Sequence, residues 1–408
     1  MTRIIRLFAA AALAASLSAT LATAQDSGQP WQRHSIDDSA RGADGVRLAD
    51  ANGDGLLDIA TGWEEAGLIR LYLNPGAKQA KEAWPRVTVG NIKSPEDAVL
   101  VDVDGDGALD VVSCCEGNTR SVFVHWAPGD KSRLLDEPRW TTAAFPALAA
   151  QQMAMYCLPL QIDGQHGIDL VIGSKGQAAK IGWLRAPANS RDLAAWTYHP
   201  LCDAGWIMSL VADDLDGDGD QDLVASDRKG KNAGCLWLEN PGAGAAQVQP
   251  WTRHPIGPGG EVMFLHYADW DGDGLRDLLV PIFSKQLFWH RRQPGRPVAF
   301  QTGELPYPAA IGKGKGVRAA DIDLDGKLDL VISTENFEGT SGLVWLSADR
   351  SAGSLKWQTH EIGGLAGPRG MKLDDLQTID LDADGDLDVL TTEERTGWGV
   401  VWFENPAR

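Results

Sequence analysis

Short runs of β-branched and leucine side chains recur along the chain, each closed off by a polar turn. Asp110-Val111-Val112, Asp329-Leu330-Val331-Ile332, Gly234-Cys235-Leu236-Trp237-Leu238 and Val400-Val401-Trp402-Phe403 are examples. Runs this short, bounded by turn formers such as Asn-Pro and Ala-Pro, predict strands. Each pair of runs is followed by a strand opened by tryptophan, at Trp84, Trp140, Trp196, Trp251 and Trp357. With the strand ahead of each acidic loop, every unit has four short antiparallel strands.

The acidic loop is clearest in Asp102-Val103-Asp104-Gly105-Asp106-Gly107-Ala108-Leu109-Asp110. Six full copies start at Asp50, Asp102, Asp214, Asp269, Asp321 and Asp380, and a degenerate one starts at Gln161, at intervals of 52 to 59 residues. Self-similarity at such a period predicts a repeat architecture, and four-stranded units at this spacing predict propeller blades. The expected fold is all-β, a seven-bladed β-propeller of four-stranded antiparallel blades. The chain opens with a tryptophan strand of its own, Trp31 to Ile36, and ends after Trp402-Phe403-Glu404-Asn405-Pro406 without one. The N-terminal strand is therefore expected to complete the last blade, which removes two exposed edges.

Loop positions 1, 3, 5 and 9 carry side-chain oxygens, position 6 is glycine, and the carbonyl of position 7 can turn inward. A hard cation that takes six to eight oxygens suits this set, and calcium is the expected ion. Without it, carboxylates this close would repel by about 4 kcal/mol per pair at an effective dielectric near 20. The predicted ligands are Asp50, Asn52, Asp54 and Asp58; Asp102, Asp104, Asp106 and Asp110; Asp214, Asp216, Asp218 and Asp222. The later copies supply Asp269, Asp271, Asp273 and Asp277; Asp321, Asp323, Asp325 and Asp329; Asp380, Asp382, Asp384 and Asp388. About six structural calcium sites follow. The copy from Gln161 to Asp169 keeps two acids and is expected to keep the turn and lose the ion.

These loops resemble the FG-GAP or VCBS repeats of integrin-type and bacterial secreted propellers, from Trp31 to the end of the chain. The repeat style is also similar to the propeller of fungal aldos-2-ulose dehydratase, in scaffold residues only. The resemblance implies fold and calcium, and this scaffold carries many unrelated functions.

Charge and leader narrow the setting. Arg3 and Arg6, the apolar run Leu7 to Ala15 and Ala22-Thr23-Ala24 read as a signal peptide over residues 1–24, leaving a propeller over 25–408. The protein is expected to be exported, to the periplasm or outside the cell, with no membrane span. The formal charge of −19 becomes −21 without the leader, and six divalent ions would bring it to −9. The acidity is thus metal-ligand chemistry, and nucleic acid is disfavoured as a partner. Five cysteines leave at least one thiol unpaired, and most read as small buried hydrophobes. Histidines 34, 199, 254 and 360 each stand three residues after a tryptophan, a repeated position that points to scaffold.

If the acidic loops join strands one and two at the bottom, the turns at the other end of those strands lie on top. Six residues before each loop stand Asp44, Glu96, Met155, Met208, Met263, Lys315 and Asp374; eight before stand Gly42, Ser94, Met153, Trp206, Glu261, Lys313 and Lys372. After strand two come Glu64, Glu116, Lys175, Arg228, Phe283, Glu335 and Glu394. These positions differ from blade to blade where the loops repeat, as a rim around a small asymmetric ligand would. Ordinary solvated turn residues are the plainer reading.

Elimination from a sugar or uronic acid, by a lyase or dehydratase, needs a base, a cation for the enolate and an acid for the leaving group. Lys313, Lys315 and Lys372 are candidates for base or enolate partner, and Glu64, Glu96, Glu116, Glu335 and Glu394 for acids. Arg228 with Lys175 suits a carboxylate. The pairs Glu96/Asp97 and Asp374/Asp375 are candidates for an additional top-face metal. A glycan- or protein-binding module without turnover, lectin- or adhesin-like, fits the same residues, so carbohydrate or another small molecule is the expected ligand and a protein the alternative partner.

Overall fold

The computed structural model describes residues 29–336, 338–349 and 355–407. The proposed leader lies outside them. Among the described residues the architecture is all-β, with 28 strands.

A lone strand, β1 (Gln32–Asp37), comes first, and sets of four follow. The first set is β2 (Ala43–Ala49), β3 (Asp58–Trp63), β4 (Leu68–Tyr72) and β5 (Arg86–Gly90). The second is β6 (Pro95–Val101), β7 (Asp110–Cys115), β8 (Ser121–Trp126) and β9 (Thr141–Ala144). Next are β10 (Met153–Leu160), β11 (Asp169–Lys175), β12 (Lys180–Arg185) and β13 (Thr197–Asp203). The fourth set holds β14 (Ile207–Asp213), β15 (Asp222–Asp227), β16 (Gly234–Glu239) and β17 (Thr252–Ile256). The fifth holds β18 (His266–Ala268), β19 (Asp277–Ile282), β20 (Gln286–Gln293) and β21 (Ala299–Leu305). The chain ends with β22 (Lys313–Ala320), β23 (Asp329–Asn336), β24 (Leu343–Asp349), β25 (Lys356–Glu361), then β26 (Met371–Ile379), β27 (Asp388–Glu393) and β28 (Gly399–Glu404).

The first five sets are separate four-stranded antiparallel sheets. The remaining strands form one eight-stranded sheet, because a short ladder, Glu335 to Lys372 and Asn336 to Met371, ties β23 to β26. Within it β1 pairs antiparallel with β28, with Gln32 opposite Glu404 and His34 opposite Trp402. The first strand thus occupies the place left open beside β28, as its tryptophan pattern predicts.

Side chains hold the sheets to one another. In β3, β7, β15, β19 and β27 every residue is buried, both the apolar core of each run and the polar residues at its ends, such as Asp58, Asp227 and Glu393. Seven apolar clusters each draw on two sets that are consecutive in the chain, or on the last and the first. Val122, Phe145, Leu170 and Trp196 join the second set to the third, and Ile36, Val46, Ile59 and Trp402 join the ends of the chain. A buried side chain of this size contributes roughly 1.5–3 kcal/mol, so the clusters dominate cohesion.

First strands of successive sets are neighbours: β2 touches β6, β6 touches β10, β10 touches β14, β18 touches β22, β22 touches β26, and β26 touches β2. Between β14 and β18, the Tyr267 hydroxyl donates to Asp213 at 2.7 Å. These strands enclose one cavity.

The tryptophans that open strands and the histidines three residues after them belong to the scaffold. Indole N–H groups of Trp84, Trp140, Trp196 and Trp251 donate to nearby backbone carbonyls at 2.8–3.0 Å. His34, His254 and His360 stack on Trp402, Trp237 and Trp345, and His199 tilts over Trp183. All five cysteines are free thiols, four of them buried.

Candidate functional site

Regular strands send alternate side chains to opposite faces. The first strands break that rule near their upper ends. Register jumps between Pro95 and Asp97, Ala154 and Tyr156, Ile207 and Ser209, and Gly314 and Gly316. The residues left over are Glu96, Met155, Met208 and Lys315, which are positions six before the loop. Wider breaks lie between Asp44 and Arg47 and between Leu373 and Leu376. A bulge re-aims its side chain, so consecutive residues such as Glu96 and Asp97, or Asp374 and Asp375, both reach the cavity.

The cavity measures about 600 Å³ and takes residues from six of the seven sets of strands, with Phe264 from the segment leading into the fifth. Seven of the predicted catalytic residues line it: Glu64, Glu96, Glu116, Arg228, Lys315, Glu335 and Lys372. Two do not. Lys313 lies with its ammonium 4.5 Å from the centre of the Phe283 ring, and Glu394 sits behind Lys372, with which it pairs. Arg47, Tyr156 and Arg318, which sequence reasoning missed, also line it, as do Asp97 and Asp375, which it named only as candidate metal ligands. They stand three or five residues before their loops, so the available signal was two-residue alternation carried past the bulge.

Almost every charge here is already answered. Lys175 pairs with Glu96 at 3.2 Å and with Glu116, Lys372 with Glu394, Arg395 with Glu335 at 2.8 Å, and Arg318 with Asp375 at 2.8 Å. Lys175 is therefore engaged, unlike the carboxylate holder its position suggested. Lys315 meets Asp374 at 2.8 Å in a charge contact that is not an aligned hydrogen bond. Arg47 pairs with Asp97 at 3.4 Å and donates to the Cys157 carbonyl at 3.0 Å. Arg228 and Glu64 have no ion pair among the described residues.

Burial and neighbours set the protonation pattern. Burial, followed by the charges of Asp374, Glu394 and Glu96, pushes the Asp44 carboxyl well up. Burial pushes Asp374 the same way, but Lys315 and a hydrogen bond from Asp44 outweigh it, and Asp374 falls to about 2. Their neighbours thus push the two carboxyls apart, favouring the protonated form at Asp44 and the ionised form at Asp374. Burial also drives Glu394 up to about 7 against the pull of Lys315 and Lys372. Burial and then Glu96 raise Glu64. For both Lys315 and Lys372 burial acts downward, but the surrounding carboxylates win and the shift is upward. Neither lysine is a base at neutral pH.

The adjacent acid pairs do not act as pairs. Asp97 accepts from the Cys157 amide at 2.8 Å and Asp375 turns to Arg318, each away from its neighbour. Convergence instead runs across sets: carboxylate oxygens of Asp44, Glu64 and Glu96 lie within 4.8 Å of one another, as do those of Asp44, Asp374 and Glu394. The second group shares its space with two ammonium groups, which already supply its positive charge.

The acidic loops lie apart from the cavity, and their geometry repeats. In the second loop, Asp102 accepts from the amides of Gly105, Asp106 and Gly107 at 2.8–3.1 Å. Position 4 is left-handed as well as position 6, as in Gly105 and Gly107, and non-glycine residues Leu324 and Ala383 take it in two copies. The FG-GAP-like repeat, as a family, matches residues 50–113 and 214–280. These stretches are FG-GAP-like repeats. No curated protein matches the chain. Among solved structures, BBS1N in complex with ARL6DN is similar at 10% identity and a TM-score of 0.53, covering 92% of this chain and 97% of that one. The Dos1 propeller is matched at 10% identity and a TM-score of 0.49, over 88% and 77%. The first likeness is one of fold.

The FG-GAP-like loops fit a hard cation. Carboxylate oxygens of Asp102, Asp104 and Asp110 converge within 4.8 Å, as do those of Asp214, Asp216 and Asp218, and of Asp269, Asp271 and Asp273. Buried oxygens of Asp321 and Asp382 are without hydrogen-bond partners. In the degenerate loop the Gln161 amide donates to the position-7 carbonyl, Gly167, and Arg185 pairs with Asp163 at 2.6 Å. Cations also reach ligand positions of full loops, Arg291 at Asp271 at 2.5 Å and Lys81 at Asp382 at 3.0 Å, so what sets the degenerate loop apart is its glutamines at positions 1 and 5.

Position 9 has a second task that the spacing did not reveal. Its carboxylate accepts the amide of position 2 and an amide beyond the third strand of the set, at 2.8–3.1 Å, in Asp58, Asp110, Asp222 and Asp388. Asp169 of the degenerate loop does the same. This contact needs no ion, and it holds the turn even where the acids of positions 1 and 5 are replaced by glutamine.

Proposed function

We propose that the chain is an exported, seven-bladed propeller with calcium in six of its loops, and that its central cavity binds a carbohydrate and carries out elimination on it. One observation carries the reading: a cavity is walled by residues of six sets and of the segment leading into the fifth, and these differ from set to set, while the loops elsewhere repeat. Its volume of about 600 Å³ lies within the usual range for a small-molecule site, which is roughly 300–1,000 Å³. Strand order, neighbour contacts and the β1–β28 pairing support seven blades closed by the N-terminal strand. The convergent loop oxygens support calcium.

For elimination, Lys315 and Lys372 are cations that steady an enolate. The base is then a carboxylate. Glu64 faces the cavity, is raised by burial and has no ion pair among the described residues, so it is the residue we assign to proton transfer. Glu96, Glu116 and Glu335 are held in ion pairs and shape the wall.

The close pairing of the cavity ions favours a second reading, a glycan- or protein-binding module without turnover. The mature protein incubated with uronic-acid polysaccharides and keto-sugars separates the two. Ultraviolet absorbance from a new unsaturated product supports elimination, while calorimetric binding with no product supports the module. Neither signal from any member would end the carbohydrate reading.

A further inference from the structure

The cavity wall holds eight carboxylates and seven cationic side chains. Its other arginines, Arg47, Arg318 and Arg395, each have a carboxylate partner. Arg228 has none among the described residues. Its guanidinium carbon instead lies 4.7 Å from the centre of the Trp206 ring and 4.5 Å from that of Phe283. Its Nε is buried without a hydrogen-bond partner. A guanidinium offers five donors in a rigid fork matched to a carboxylate, and leaving buried donors unused is costly. Aromatic faces orient the fork while leaving its donating edge free.

We infer that Arg228 is the anchor for a carboxylate on the ligand, which makes the ligand class an acidic sugar or a similar small hydroxylated acid. This rests on the cavity being the binding site, and it narrows the carbohydrate reading to acidic members. Burial lowers the affinity of Arg228 for its proton, with Glu261 and Glu335 opposing from further off, so the cation sits in a place that costs the fold something. A ligand carboxylate would relieve that cost. Glu64, from a different sheet, offers an acceptor to the hydroxyl groups of the same ligand.

The test is calorimetric titration of the mature full-length chain with D-galacturonate, its neutral methyl ester and the simple dicarboxylate succinate. Wild-type protein should bind galacturonate at least tenfold more tightly than the ester. Arg228→Met, which keeps an apolar stem between Trp206 and Phe283, should lose at least tenfold for galacturonate and succinate and leave the ester unchanged. Its melting temperature should equal or exceed that of the wild type, because an uncompensated buried charge has been removed. A merely structural arginine would lower it. Equal binding of acid and ester, or undiminished galacturonate binding by Arg228→Met, overturns the anchor, and so does the failure of both carboxylates to bind. If succinate binds in an Arg228-dependent way and no sugar does, the anchor stands and the carbohydrate reading falls.

Discussion

The ammonium of Lys315 lies 2.8 Å from a carboxylate oxygen of Asp374, joining the first strands of two neighbouring sets with side chains only 6% and 3% exposed. A rim lysine in solvent could be removed at little cost to the fold. This one cannot, because its loss leaves Asp374 ionised and buried beside Asp44. Lys315→Ala is expected to cost about 3–5 kcal/mol in urea unfolding, with a large part recovered by adding Asp374→Asn. A single variant as stable as the wild type would show that the pair is not buried in solution.

Calcium should account for a large share of stability. Each loop held at about 100 times its dissociation constant contributes about 2.7 kcal/mol, so chelator should lower the melting temperature markedly. Native mass spectrometry is expected to count six calcium ions. A seventh would sit either in the Gln161 loop against Arg185 or at the cavity carboxylates Asp44, Glu64 and Glu96, and a melting curve indifferent to chelator would remove the cage assignment.

Acid sensitivity should come in part from His125. It is fully buried, its ring nitrogens meet Ser113 at 2.9 Å and Thr142 at 2.8 Å, and burial pulls its pKa down to about 3. The unfolded chain, with histidine near 6.5, binds the proton more readily, so this contribution is complete above about pH 6.5 and is lost as pH falls toward 3. With calcium saturating, so that loop carboxylates stay ionised, melting temperature should fall between pH 6.5 and 4. His125→Gln should flatten that slope. An unchanged slope would assign acid sensitivity to other groups.

Ala383 holds position 4 of the last loop at φ 58°, where every copy but this one and that of Leu324 has glycine. Its side chain is exposed, so Ala383→Gly removes strain without removing packing. A gain of about 0.5–1 kcal/mol is expected. Chemical denaturation reads this directly, and a loss of stability would mean that unfolded-chain entropy outweighs the relief.

Much of the scaffold was legible in the residues because its causes are local. Acidic loops at a 52 to 59 residue interval, apolar runs bounded by turns, and a tryptophan strand at one end with none at the other predict the strand sets and the β1–β28 pairing. Reading upper turns in register also reached most of the cavity wall, since repeated units place equivalent residues at equivalent depth.

What the sequence by itself determined was therefore the repeat, the strand order and which positions face one end of the strands. Only the tertiary structure decided which charges remain free there. Bulges turn Glu96 and Asp97 to different partners, Lys175 finds Glu96 and Glu116, Lys315 finds Asp374, and Arg228 finds two rings and no acid. Ion pairing depends on distances of a few ångströms between residues far apart in the chain, and repeat spacing carries no record of them.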